Sequence, residues 1–378
     1  MAIGLYIHVP FCISKCRYCD FVSYPFDSGA VRKYLTALER EMKLYGRILD
    51  AAGEQVATVY VGGGTPTCLS AGDLEAVLNA GRRFFRFLPD AEITVEANPG
   101  TVDADKLTVL RAAGVNRLSL GVQACQEDLL RRLGRIHDFR QAVEAVHLAR
   151  RAGFGNLSLD LIFGIPGQTA ERWRACLERV LELAPEHISA YGLQIEEDTP
   201  LGRAVKAGAE TPCDEEAELV MFRETIAVLT ASGYEHYEIS NFARPGFQCR
   251  HNLRYWRNEE YLGLGPAAHS YRHGRRYNNV EKIDAYADRL AAGEPPVDAA
   301  ERPPLRTAMG ETVFLGLRLI GGLSLEDFAA RFGKRAEEVF APQIGRLTAL
   351  GLLEIKDGRL RLTSRGLPVA NRVFVEFV

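Results

Sequence analysis

Six short apolar, β-rich runs separated by amphipathic helical stretches constrain this chain more than any other feature. The runs are GLYIHV (4–9), TVYVGG (58–63), EITVEAN (92–98), RLSLGV (117–122), NLSLDLIFGI (156–165) and HISAYGL (187–193). Between them lie helical patterns such as VRKYLTALEREMKLYGRIL, DADKLTVLRAAG and TAERWRACLERVLEL, closed by Gly, Pro or Asn. Alternation of this kind specifies an α/β fold with a parallel sheet and right-handed crossovers. Six units are fewer than the eight that close a TIM barrel, so periodicity leaves two forms open: an open doubly wound sheet and a partial barrel.

In both forms active groups gather at the C-terminal ends of the strands. The unusual residues fall there: FCISKCRYCDF after the first run, GGGTPT after the second, EANP ending the third, GVQ ending the fourth, and Asp160 in the fifth. Residues 1–213 therefore read as one α/β unit. From about 214 the alternation weakens into a helix, a Tyr-rich strand YEHYEIS and an aromatic, polar loop HNLRYWRNEEYLGLGPAAHS, an extension reaching 292. The Pro-rich stretch 293–304 reads as a linker. Residues 305–378 carry three helical patterns and a hairpin whose turn is Asp357-Gly358, a winged-helix-like arrangement.

Charge narrows the partners. Lys and Arg total 46 against 49 Asp and Glu, a formal net charge of -3, so the chain lacks the basic excess that binding a phosphate backbone requires. The winged-helix-like tail is no exception, because its basic and acidic residues nearly balance, and we expect no nucleic acid partner. The N-terminus enters its first strand without a basic, apolar leader, and no uncharged run approaches a membrane span, which predicts a cytoplasmic protein. Eight cysteines are too sparse for a disulfide scaffold; five are isolated, but Cys12, Cys16 and Cys19 form one C-x3-C-x2-C cluster. Structural zinc takes four ligands, usually in two pairs, and no second pair exists here. An iron–sulfur cube held by three thiolates instead leaves one iron open to chelate the amino and carboxylate groups of S-adenosylmethionine (SAM), whose sulfonium an electron from the cluster can cleave.

The cysteine cluster after the first strand, with GGGTPT after the second, resembles the radical SAM superfamily and its oxygen-independent coproporphyrinogen III oxidase-like branch. The resemblance covers nearly the whole chain. It implies a partial (β/α)6 TIM-like barrel, with Cys12, Cys16 and Cys19 holding a [4Fe-4S] cluster that needs an electron donor. It also implies that Tyr6 lies beside the SAM sulfonium, Tyr18 lies inside the cysteine loop, and Gly63, Gly64 and Thr65 present backbone to the methionine end. Glu96 is implied to hold the amino group or ribose, and Gln123, Arg135 and Asp160 match positions that contact a second SAM. Read as residues alone, the glycines fit a bare turn equally well, Glu96 a helix cap, and the other three a core amide, a surface Arg and a buried Asp. His269 in GLGPAAHS reads as a structural histidine.

Two oxidase features are missing. The oxidases carry a fourth cysteine two residues after the third, where this chain has Phe21, and an N-terminal arm that this chain lacks. HNLRYW (251–256) matches instead the H-N-x-x-Y-W signature of the HemW-type haem chaperones. That resemblance implies haem as ligand, with His251 as axial ligand and Tyr255 and Trp256 as an aromatic wall, and an acceptor haemoprotein, soluble or at a membrane. On residues alone the same segment reads as an aromatic plug in an open barrel. The competing reading is a working radical SAM enzyme on a porphyrinogen.

Overall fold

The computed structural model describes residues 2–378. All six apolar runs form strands: β1 Ala2–Val9, β2 Gln55–Gly63, β3 Phe87–Ala97, β4 Arg117–Gln123, β5 Leu157–Phe163 and β6 His187–Gly192. They pair in parallel and in chain order, without the reversal that defines a doubly wound sheet, so the partial barrel is the form adopted. The helices between them start where short polar side chains cap free backbone donors. Asp27, Ser70, Asp103, Asp138 and Thr169 each accept the N–H three residues on.

Period-two alternation sorts the strand residues into two environments. Ile3, Leu5, Ile7 and Val9, with Val59, Val61, Ile93, Val95, Leu118, Leu120, Leu159 and Leu161, point outward into the main core beneath the helices. The inward set is polar: Tyr6, His8, Thr58, Tyr60, Glu92, Glu96, Arg117, Ser119, Asp160 and Ser189. A complete barrel fills its interior with branched apolar side chains. This one encloses a polar chamber.

Both sheet edges are extended, to twelve strands in all. Tyr261–Leu264 pairs with β1, followed outward by His269–Arg272, Arg275–Asn279 and Val297–Glu301. On the other side Asn241–Ala243 pairs with β6 and Glu235–Glu238 lies beyond it. The Pro-rich stretch read as a linker thus contains an edge strand. HNLRYW is likewise not a loop: Arg250–Trp256 is a short helix lying across the N-terminal ends of β1 to β3. Glu92 accepts the N–H groups of Arg250 and His251, both at 3.0 Å, and so caps it from inside the barrel.

Residues from Leu305 onward build a separate core around Val313, Phe328, Phe340, Leu347 and Leu360. The strands Leu353–Lys356 and Arg359–Leu362 form its hairpin, with φ of 52° at Asp357 and 70° at Gly358 in the turn. This unit docks on the barrel extension: Arg318 lies 4.3 Å from the Trp256 ring centroid, and Arg331 donates to Tyr271 at 2.7 Å. Among the described residues no helix is long and apolar enough to cross a membrane.

Candidate functional site

A cavity of about 490 Å3 runs inside the barrel from the cysteine loop at the mouth to the HNLRYW helix at the floor. Cys12, Cys16 and Cys19 all face it, and all eight cysteines are free of disulfides. The loop is shaped by a Cys19 N–H to Cys16 carbonyl bond of 3.3 Å and pinned to the barrel by Arg17, whose N–H donates to the Leu133 carbonyl at 2.9 Å. Burial pushes the Cys19 thiol up to about 11, and the neighbouring Cys16 and Cys12 thiols push in the same direction. Three thiols converging on one cavity form a donor set suited to a multivalent iron centre that stabilises thiolate.

Arg135 is no surface residue. Its Nη1 donates to Cys16 Sγ at 3.4 Å and its Nη2 to the Gly121 carbonyl at 2.7 Å and to Asn98, tying the loop to the ends of β3 and β4. Thr65 is buried, with Oγ1 3.6 Å from Cys12 Sγ and accepting from Asn98 at 2.9 Å. Tyr18 and Gln123 line the cavity, Gln123 at a φ of 66°. Asp160 faces it too, accepting from Ser119 at 2.9 Å and Ser158 at 3.0 Å, and burial raises its carboxyl above the ordinary range. Phe21, in place of a fourth cysteine, is 63% exposed at the mouth, while the exposed Ile13 and Ile136 border a smaller cleft that shares Cys16 and Arg135 with the cavity.

Glu96 opens only toward the cavity. Tyr60 donates to it at 2.8 Å and the Gly63 N–H at 3.2 Å, yet burial raises its carboxyl to about 7. The folded value lies above the unfolded one, so Glu96 favours folding fully below pH of about 4.5, and that contribution is lost as pH rises to about 7. Chemical denaturation of Glu96→Gln across that window should show a flatter pH dependence than the parent chain; identical slopes would contradict the shifted carboxyl.

The glycines serve the fold before any ligand. A Cβ on Gly63 would sit 2.5 Å from the His8 ring, at a φ of 112° that favours glycine, and one on Gly64 would sit 2.5 Å from the Phe11 carbonyl oxygen. Gly63→Ala should lower unfolding free energy by roughly 2–4 kcal/mol, from backbone strain plus overpacking. A denaturation midpoint equal to that of the parent chain would refute the close approach.

Four residues expected to touch SAM or haem lie outside the cavity lining. Tyr6 Oη bonds His8 Nδ1 at 2.9 Å, and its ring packs on Tyr60. His251 is fully buried with both ring nitrogens engaged, Nδ1 with Thr58 Oγ1 and Nε2 with Tyr255 Oη, each at 2.8 Å, and it stacks on Tyr60 at 5.3 Å. Burial and the nearby Arg254 and Arg117 hold its imidazole neutral, lowered to about 3. In this conformation it offers no nitrogen to an external iron. Tyr255 packs edge-on against Tyr261, and Trp256 lies under Arg318, so the aromatic triplet closes the barrel floor. His269 is exposed at the start of its strand.

Cavity residues that motif reading passes over are Tyr60, Asn98, Arg117, Ser119, Ser189, Tyr191 and Asn252. Strand alternation marks most of them, because they sit two residues apart on the face opposite the apolar positions.

The family model described as "Radical SAM superfamily" matches residues 6–180, and the "HemN C-terminal domain" matches residues 304–369. The heme chaperone HemW of Bacillus subtilis (strain 168) is 38% identical over 374 residues, covering 99% of this chain and 98% of the relative. The heme chaperone HemW of Escherichia coli (strain K12) is 36% identical over 373 residues, covering 93% and 91%. Among solved structures, coproporphyrinogen III oxidase (HemN) from Escherichia coli, a radical SAM enzyme, superposes with a TM-score of 0.87 at 26% identity, covering 100% of this chain and 90% of the other.

Proposed function

Since the chain belongs to the HemW family within the radical SAM superfamily, we propose that it is a haem chaperone that carries a [4Fe-4S] cluster and SAM, binds haem and hands it to an acceptor haemoprotein. The observation that carries the cofactor part is the convergence of Cys12, Cys16 and Cys19 on one polar cavity, with no fourth thiol in their loop. When bound there, such a cluster supplies an open iron site for SAM and a source of single electrons.

The chain's own residues do the rest. Arg135 holds the cysteine loop against the strand ends, and the Glu96 carboxyl, oriented by Tyr60 and Gly63, offers an acceptor to the amino group or ribose of SAM. Asp160, fixed by its serines, offers a second acceptor deeper in the chamber. The exposed Phe21 ring at the mouth offers an apolar contact to a flat macrocycle or an acceptor surface. The HNLRYW helix serves as the barrel's floor, and haem ligation by His251 would require that helix to leave its place. Electrons for the cluster come from a partner reductant, and the acceptor is a haemoprotein, soluble or membrane-bound.

The test is an absorbance titration of the reconstituted protein with haem. Saturation of a Soret band near one haem per chain supports the reading. A flat titration, with coproporphyrinogen III consumed in the presence of SAM and reductant, would favour the porphyrinogen enzyme.

A further inference from the structure

At the chamber floor, opposite the cysteine loop, lies a buried cation that is incompletely hydrogen-bonded. Arg117 begins β4 pointing inward, is only 2% exposed, and lines the cavity. Its Nε has no hydrogen-bond partner, and no carboxylate forms an ion pair with it among the described residues. The charge is felt by Glu92, Glu96 and Asp160, but none of them hydrogen-bonds it, and an unbonded guanidinium donor at this burial is costly. The nearby acids are already engaged: Glu92 caps the HNLRYW helix, Glu96 accepts from Tyr60 and Gly63, and Asp160 accepts from Ser119 and Ser158. Asn252, next to His251 in the HNLRYW helix, lines the same cavity. His251, locked between Thr58 and Tyr255, fixes the helix from which Asn252 is presented.

We propose that Arg117, assisted by Asn252, is a binding subsite for a carboxylate carried by a ligand that enters the barrel. A guanidinium fork with an adjacent amide matches the planar, two-oxygen carboxylate. Glu96 and Asp160 on the same chamber wall would repel a doubly charged phosphate far more than a singly charged group. The inference rests on the reading above only for its ligands. Haem offers propionates, and SAM offers its amino-acid carboxylate. The cysteine loop lies at the other end of the chamber, so the carboxylate held by Arg117 is a haem propionate or that of a second SAM, not that of the SAM on the cluster.

The experiment compares each acid with its carboxylate-free form on reconstituted protein, in two arms: haem against haem dimethyl ester, and SAM against decarboxylated SAM. Affinities are read by absorbance and by calorimetry. Arg117→Gln should weaken the acid at least tenfold in one arm and leave its carboxylate-free form unchanged; the arm that responds identifies the source. Asn252→Asp, a milder change that adds a negative charge at the floor, should weaken the same acid at least threefold, and it decides the matter should Arg117→Gln fail to fold. Unchanged affinity for both acids, or equal loss for acid and carboxylate-free form, would overturn the subsite and make Arg117 a structural cation. Absence of binding by the parent chain in an arm would count against the functional reading of that ligand instead, which keeps the two failures apart.

Discussion

Changing Cys12, Cys16 or Cys19 to Ala abolishes the iron–sulfur absorbance of the anaerobically reconstituted protein, while changing any of the other five cysteines leaves it. The effect is all-or-none because the loop contains no spare thiol: Phe21 stands where a fourth would be. Cys68 is the informative control. It lies close enough to Cys12 to raise its own thiol further, but burial has already pushed it up to about 12 and its Sγ donates to the Phe11 carbonyl at 3.5 Å. Cys249 is buried against Glu92 at the opposite end of the barrel. Iron and absorbance per chain are the readouts. A cluster that survives Cys16→Ala but not Cys68→Ala would reassign the ligands.

His251→Ala should destabilise the barrel by roughly 2–5 kcal/mol, the range for deleting a buried ring and stranding its hydrogen-bond partners. Thr58 Oγ1 and Tyr255 Oη each lose their 2.8 Å partner, and the Tyr60 stack is emptied. Urea denaturation of the apo-protein isolates this effect from any ligand. The imidazole is held neutral by burial, so protonation also opposes folding, and stability should fall as pH drops through the imidazole's ordinary value near 6.5 toward about 3. An apo-protein whose stability is unchanged by His251→Ala would mean that the ring is not the floor's keystone, and axial ligation would regain its place.

Much of the barrel is legible in the sequence because alternation is a local property. In EITVEAN, Ile93 and Val95 go outward while Glu92, Thr94 and Glu96 go inward, as a two-residue period requires. The cysteine cluster is legible for the same reason: its spacing is its chemistry. The HNLRYW helix is not, since Cys249 provides no side-chain cap and the acceptor that replaces one, Glu92, is about 160 residues away. The strand Val297–Glu301 is hidden because VDAAE is mostly exposed and has no apolar face; pairing with Arg275–Asn279 alone makes it a strand. Gly63 is legible as a glycine but not for its reason, because the obstacle is a histidine ring on the neighbouring strand. Arg117 looks like a boundary charge at the head of RLSLGV, and only the curvature of the sheet turns it into the chamber floor.

The central proposal is that this chain binds haem and hands it to an acceptor haemoprotein. Its most direct test mixes the haem-loaded, cluster-containing protein with the apo-form of a b-type haemoprotein, separates the two, and follows the Soret band, with coproporphyrinogen III, SAM and reductant supplied in parallel. The account predicts that the band moves to the acceptor and that no decarboxylated porphyrinogen forms. A decarboxylated product, with no haem bound or transferred, would contradict it.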